Sequence, residues 1–176
     1  QIDAACRRIL EAKYKLGLFE DPYKYCDENR AKTEIFTDAN RKEARNIAAQ
    51  SFVLLKNNPL SPGGSGVGLL PLKKSGTIAL IGPLADNKEN MVGTWSVAAN
   101  FANATSVLTG LQQAVGSQAK ILYARGSNLD ADSVFEQHAG MFGKSLKRDN
   151  RSAEVILQEA LAIANQSDVI VAALGE

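Results

Sequence analysis

Apolar residues in this chain follow two rhythms, a three-to-four spacing and short unbroken runs, and these mark helices and buried strands in turn. Ile2, Cys6, Ile9, Leu10 and Tyr14 fall on one side of a 3.6-residue repeat, which predicts an amphipathic helix over Asp3–Leu16 with Gly17 as its stop. Leu18–Phe36 is rich in charge and tyrosine, contains Pro22, and reads as an extended linker hugging a surface. Thr37 or Asp38 caps a second helix running to about Gln50, with Ala44, Ile47 and Ala48 on its apolar side. Phe52–Leu55 reads as a short buried strand, and Asn57–Gly68, punctuated by prolines and glycines, as a flexible loop.

Beyond that loop the alternation is regular. Thr77–Ile81 is expected as a strand, Ser106–Val115 as a helix closed by Gly116, and Ala119–Tyr123 as a strand. Asp130–Asn150 reads as an irregular polar excursion. Val155, Ile156, Ala160, Leu161 and Ile163 then place a helix over Arg151–Asn165, followed by a strand at Asp168–Leu174. Strands that are nearly continuous apolar runs, separated by helices, predict an α/β fold with a mostly parallel sheet and helices on both faces. Four strands are few for such a sheet, and the chain opens inside a helix at Gln1 and stops at Glu176 directly after an apolar run. The expectation is an incomplete α/β sandwich preceded by a helix and extended linker, a piece of a longer protein.

Within this pattern Ile78–Ser96, IALIGPLADNKENMVGTWS, has the layout of a site. A strand stops at Gly82-Pro83, a polar loop follows, and the loop delivers Trp95, the one tryptophan of the chain. Ligands of open α/β sheets bind where strands end, and a flat amphipathic indole on a loop suits stacking against a ligand. The alternative is that Trp95 plugs the loop onto its own domain. Asp86 and Glu89 flank the same loop and Glu176 follows a strand end, so each is a candidate to line a site; the plainer reading is helix caps and solvated loop groups. No matched acid and nucleophile stand out among them.

Composition narrows the classes. A chain of 176 residues with 45% apolar content buries one core, and a net charge of +1 with interspersed signs makes no case for nucleic acid or an anionic membrane. No apolar run approaches a membrane span. The basic cluster Lys144, Lys147, Arg148 and Arg151 reads as a solvated loop. One histidine, His138, without a visible partner, and two cysteines, Cys6 and Cys26, which could pair but with one on a helix and one in a polar loop read first as free thiols, leave no metal-ligand pattern. The glycines of Pro62–Gly68 neither follow a strand nor end in Lys-Ser/Thr, and Pro83 removes an N–H after Gly82, so neither a P-loop nor a dinucleotide site is supported.

Three segments in fixed order then point to a family. AACRRILEAKYKLGLFEDPYKY resembles the last barrel helix and exit linker of glycoside hydrolase family 3 enzymes, especially bacterial β-glucosidases. AAQSFVLLKNN with LLPLKKSGTIALIGPLADNKENMVGTWS resembles the start of their α/β-sandwich domain, and SDVIVAALGE the strand before their acid/base loop. The resemblance implies that residues 1–36 are the end of the barrel and the interdomain linker, and residues 37–176 the first part of the sandwich. It further implies a retaining, exo-acting hydrolase without cofactor, acting on β-glucosides or oligosaccharides. The nucleophile would lie on the N-terminal barrel of the same protein and the acid/base beyond Glu176, itself structural. No catalytic residue is therefore assigned to this chain; Trp95 matches a loop position where some members present an aromatic to the sugar. Exported bacterial relatives point to a periplasmic or secreted protein. A different class, a non-catalytic carbohydrate- or partner-binding α/β module, remains the alternative.

Overall fold

The computed structural model describes residues 1–59, 68–91, 100–138 and 147–175, in two compact units, Gln1–Asn58 and Pro59–Glu176. The first unit is helical. Helix α1 spans Ile2–Lys15, α2 Arg30–Glu34 and α3 Asp38–Ser51, the last capped by the Thr37 hydroxyl, which accepts from the Asn40 N–H at 3.2 Å. Both long helices thus fall where the spacing places them, whereas the expected extended linker folds into turns and the five-residue α2. There the Arg30–Glu34 pair, one helical turn apart, supports the short helix. The expected strand at Phe52–Leu55 does not form. No strand lies beside it among the described residues, and its side chains are 64–91% exposed. An apolar run supplies a strand's side chains but not the neighbour that must take its backbone hydrogen bonds.

The second unit is α/β. Strands β1 (Gly76–Ile81), β2 (Ala119–Ala124) and β3 (Val169–Ala172) alternate with helices α4 (Val107–Val115), α5 (Ser133–His138) and α6 (Ala153–Asn165). The three described strands form one parallel sheet in the order β2-β1-β3, with Ile78 opposite both Ile121 and Val169. The chain leaves β1 in one direction through α4 and crosses back past it through α6. Right-handed crossovers of opposite direction put the two helices on opposite faces. Consistent with this, the central residues Ile78, Ala79 and Leu80 are at most 2% exposed although their side chains alternate between faces. Leu80 and Ile156 are fully buried, each worth roughly 1.5–3 kcal/mol of apolar transfer.

Local chemistry explains the helix ends. Ser106 and Ser152 cap α4 and α6, accepting from Thr109 N–H and Val155 N–H, and Gly116 closes α4 at φ 55°. At the opposite end of the sheet from the β1 stop, the Asp168 carboxylate accepts from the Thr77 N–H at 2.8 Å, so Asp168 lies outside β3 and pins it to β1.

Candidate functional site

The C-terminal end of β1 is gripped from both sides. The Gly82 N–H donates to the Ala124 carbonyl at 3.1 Å, and the Ala173 N–H donates to the Ile81 carbonyl at 2.8 Å. A Cβ on Gly82, whose φ is 146°, would run into the Ala173 backbone carbonyl, so the close approach of the two chains requires glycine. The order β2-β1-β3 reverses direction at this point, which makes the crevice between β1 and β3 the topological switch where open α/β sheets place their ligands. From here the described part of the loop runs to Met91.

That loop is tied down at its root. Ala85 is fully buried and its carbonyl accepts from the Leu108 N–H at 2.9 Å. The Ser106 hydroxyl, 1% exposed, donates to Asp86 at 2.9 Å while capping α4, so one side chain joins the loop to a helix. Asp86 and Glu89 then line a cavity of about 410 Å³ beside β2, together with Asn87, Lys88, Tyr123, Arg125 and Lys147. Tyr123 and Arg125 are two residues apart at the end of β2 and so share a face. Burial pushes the Tyr123 phenol above its ordinary value; the Arg125 charge opposes that rise, and the Asp86 and Glu159 carboxylates add to it. The phenol therefore stays neutral, and it reaches the Gly82 carbonyl at 3.4 Å.

The expected irregular excursion after β2 is instead cross-braced. Arg148 forms an ion pair with Glu136, which is 2% exposed, and also donates to the carbonyls of Asp130 and Ala131. Glu136 in turn accepts from the Leu129 N–H at 3.1 Å. Asn128 exchanges two hydrogen bonds with the Asp149 backbone, both 2.9 Å, and Arg125 donates to the Lys147 carbonyl at 2.6 Å. Arg151 pairs with Asp149 and Glu159. The reading of the basic cluster as a solvated loop is therefore corrected for Arg148, whose guanidinium meets the buried Glu136 twelve residues away, whereas Arg151 pairs with its carboxylates while staying exposed. Two chain segments separated by the 139–146 stretch are closed on each other by these bonds.

Of the sequence candidates, Asp86 and Glu89 come together on one cavity. Trp95, Glu176, Lys144 and most of the Pro62–Gly68 stretch lie outside the described residues, and His138 ends α5. Cys6 and Cys26 are free and exposed. Tyr123, Arg125 and Asn128 went unremarked in the sequence; the one available signal was the polar i, i+2 pair closing an apolar strand. Among the described residues no group of three or more His, Cys, Asp or Glu side chains is placed to hold a metal ion.

Comparison with known proteins places this geometry. Residues 52–176 match the profile of the Glycosyl hydrolase family 3 C-terminal domain. The whole chain is 41% identical to 22% of the length of the periplasmic beta-glucosidase of Salmonella typhimurium. Three quarters of it is 38% identical to 18% of the beta-xylosidase of Formosa agariphila. Among solved structures, 96% of the chain superposes on 19% of the beta-glucosidase from Listeria innocua in complex with isofagomine, with TM-score 0.65 and 31% identity. A beta-glucosidase involved in saponin metabolism from intestinal bacteria aligns over 97% of the chain and 23% of its own length, with TM-score 0.67 and 33% identity. The chain thus spans about a fifth of the length of these curated relatives. With the parallel sheet, the flanking helices and the loop that follows β1 already pointing the same way, the chain belongs to glycosyl hydrolase family 3.

Proposed function

We propose that this chain is part of a retaining, exo-acting, β-glucosidase-like enzyme that removes terminal sugars from β-glucosides. In this reading residues 1–36 are the end of the barrel and the linker, and residues 37–176 open the α/β-sandwich domain. The observation that supports it most directly is the 41% identity to a beta-glucosidase over the whole chain. The β1 stop fits as well, since a loop rooted at a switch point and braced on α4 is a firm base from which to offer a side chain to a neighbouring pocket.

The chemistry requires two carboxylates roughly 5–5.5 Å apart, one attacking the anomeric carbon and one protonating the leaving oxygen. Neither is assigned to these residues: the nucleophile belongs to the barrel and the acid/base to the sequence after Glu176. The contribution of this chain is Trp95, whose indole stacks on the apolar C–H face of the sugar. The protein acts in the periplasm or outside the cell, as the name of the Salmonella relative indicates for that protein. Among the described residues no helix is long and apolar enough to cross a membrane.

The test is steady-state kinetics of the full-length protein on an aryl β-glucoside. Trp95→Ala raises KM roughly two- to tenfold, the range that aromatic stacking supplies, and Trp95→Phe restores most of the loss. A KM unchanged by Trp95→Ala removes the indole from the sugar site.

A further inference from the structure

Asp86 and Ser106 stand twenty residues apart in sequence and meet in space, the Ser106 hydroxyl donating to the Asp86 carboxylate at 2.9 Å. The backbone makes a second junction beside it, where the Leu108 N–H donates to the Ala85 carbonyl at 2.9 Å. The chain that leaves β1 and returns to start α4 is therefore closed at its neck by a side-chain bond and a backbone bond. Trp95 lies in the sequence between the two joined ends.

Ser106 does more here than a helix cap requires. A cap needs an oxygen that accepts, and Ser152 provides one for α6 from an exposed position, where water is free to take its proton. Ser106 caps α4 in the same way, accepting from the Thr109 N–H, but it is 1% exposed, so its proton must find an acceptor within the protein. The exposed Asp86 supplies that acceptor, and its neighbour Ala85 is fully buried, which fixes the point where the outgoing arm leaves the domain. Asparagines turn both arms. Asn87 accepts from the Asn90 N–H at 2.9 Å on the outgoing arm, and Asn100 accepts from the Ala102 N–H at 3.0 Å on the returning one. Joining the ends of a loop removes chain entropy that its own contacts would otherwise have to offset.

We propose that Asp86 and Ser106 are positioning residues of the sugar site, their hydrogen bond holding closed the neck of the loop that presents Trp95. The inference rests on the reading of Trp95 as the residue that stacks on the sugar. Neither Asp86 nor Ser106 touches the substrate in this account; loss of their bond reaches the sugar through the indole alone.

Asp86→Ala isolates the neck. Without the carboxylate the Ser106 proton turns to the Thr109 hydroxyl, 3.0 Å away, and α4 keeps its cap. On an aryl β-glucoside the full-length Asp86→Ala protein has KM raised roughly two- to fivefold, the worth of one such bond, with kcat within about twofold of the parent. Asp86→Asn, whose amide oxygen still accepts from Ser106, restores most of the loss. Ser106→Gly breaks the same bond from the other side while glycine still serves as a cap, and it raises KM to the same extent. Where circular dichroism shows Asp86→Ala to be unfolded, Ser106→Gly carries the test. In a Trp95→Ala background neither variant raises KM further. An unchanged KM in Asp86→Ala, beside a raised KM in Trp95→Ala, overturns the neck and leaves the indole in the sugar site. An unchanged KM in Trp95→Ala overturns the indole reading itself, and the positioning role with it. Additive rises in the double variant put Asp86 directly on the sugar and overturn its positioning role. A fall in kcat at constant KM, the mark of a smaller folded fraction, does the same.

Discussion

At the scale of single residues, the polar groups after β2 do more than keep a loop soluble. Asp149 is the clearest case: the Arg151 guanidinium, bonded to its carboxylate, together with the Arg151 backbone N–H, lowers its pKa to about 2. A carboxyl depressed on folding stabilises the native state at pH values above its unfolded value, near 4, and that contribution fades as pH falls toward the folded value. The expectation is a carboxyl resonance of Asp149 that titrates with a midpoint about 2 in the folded protein. An ordinary midpoint near 4 would mean that the Arg151 contact does not persist in solution. Glu136 is the opposite kind of group, a nearly fully buried carboxylate whose partners, Arg148 and the Leu129 N–H, must all be present for its burial to be tolerable. None of this was legible in the sequence. Glu136 and Arg148 are twelve residues apart, and their meeting depends on how the intervening chain turns.

At the scale of elements, legibility followed the period of the apolar pattern. Helices α1, α3, α4 and α6 and strands β1 to β3 lie within a residue or two of where spacing and caps put them, because each has an amphipathic or apolar signal and a stop residue of its own. Phe52–Leu55 has the apolar content of a strand but no neighbouring strand among the described residues, and helices of five and six residues, as in α2 and α5, hold too little periodicity to show in the sequence. Gly82 shows how much one position in a connection can decide. Placing alanine there sets a side chain against the Ala173 carbonyl and forces a non-glycine residue to φ 146°, a backbone strain costing roughly 1–3 kcal/mol before any clash is counted. Gly82→Ala is therefore expected to loosen the β1–β3 pairing, seen as faster amide exchange at Ala173, whose N–H is held by Ile81. Unchanged protection at Ala173 would show that the two strands tolerate more separation than this geometry allows. By contrast, Gly116→Ala meets no atom within 4 Å and pays only for its conformation.

At the scale of the whole molecule, glycoside hydrolysis needs two carboxylates, and the proposed function assigns neither of them to residues 1–176. The expected outcome is that this chain, produced alone, does not turn over an aryl β-glucoside, while the full-length protein does. Measurable hydrolysis by residues 1–176 would relocate at least one of the two groups onto this chain. The sheet itself has another consequence. Of the three described strands, the central one is made first and its β3 partner last: 91 residues separate Thr77 from Asp168. At ribosomal rates of roughly 5–20 residues per second, β1 waits about 5–18 s with one apolar edge bare as the nascent chain lengthens. A newborn copy of this protein is thus most prone to aggregate between the synthesis of β2 and that of β3, and a chaperone that shields an open strand edge would be of most use to it in that interval.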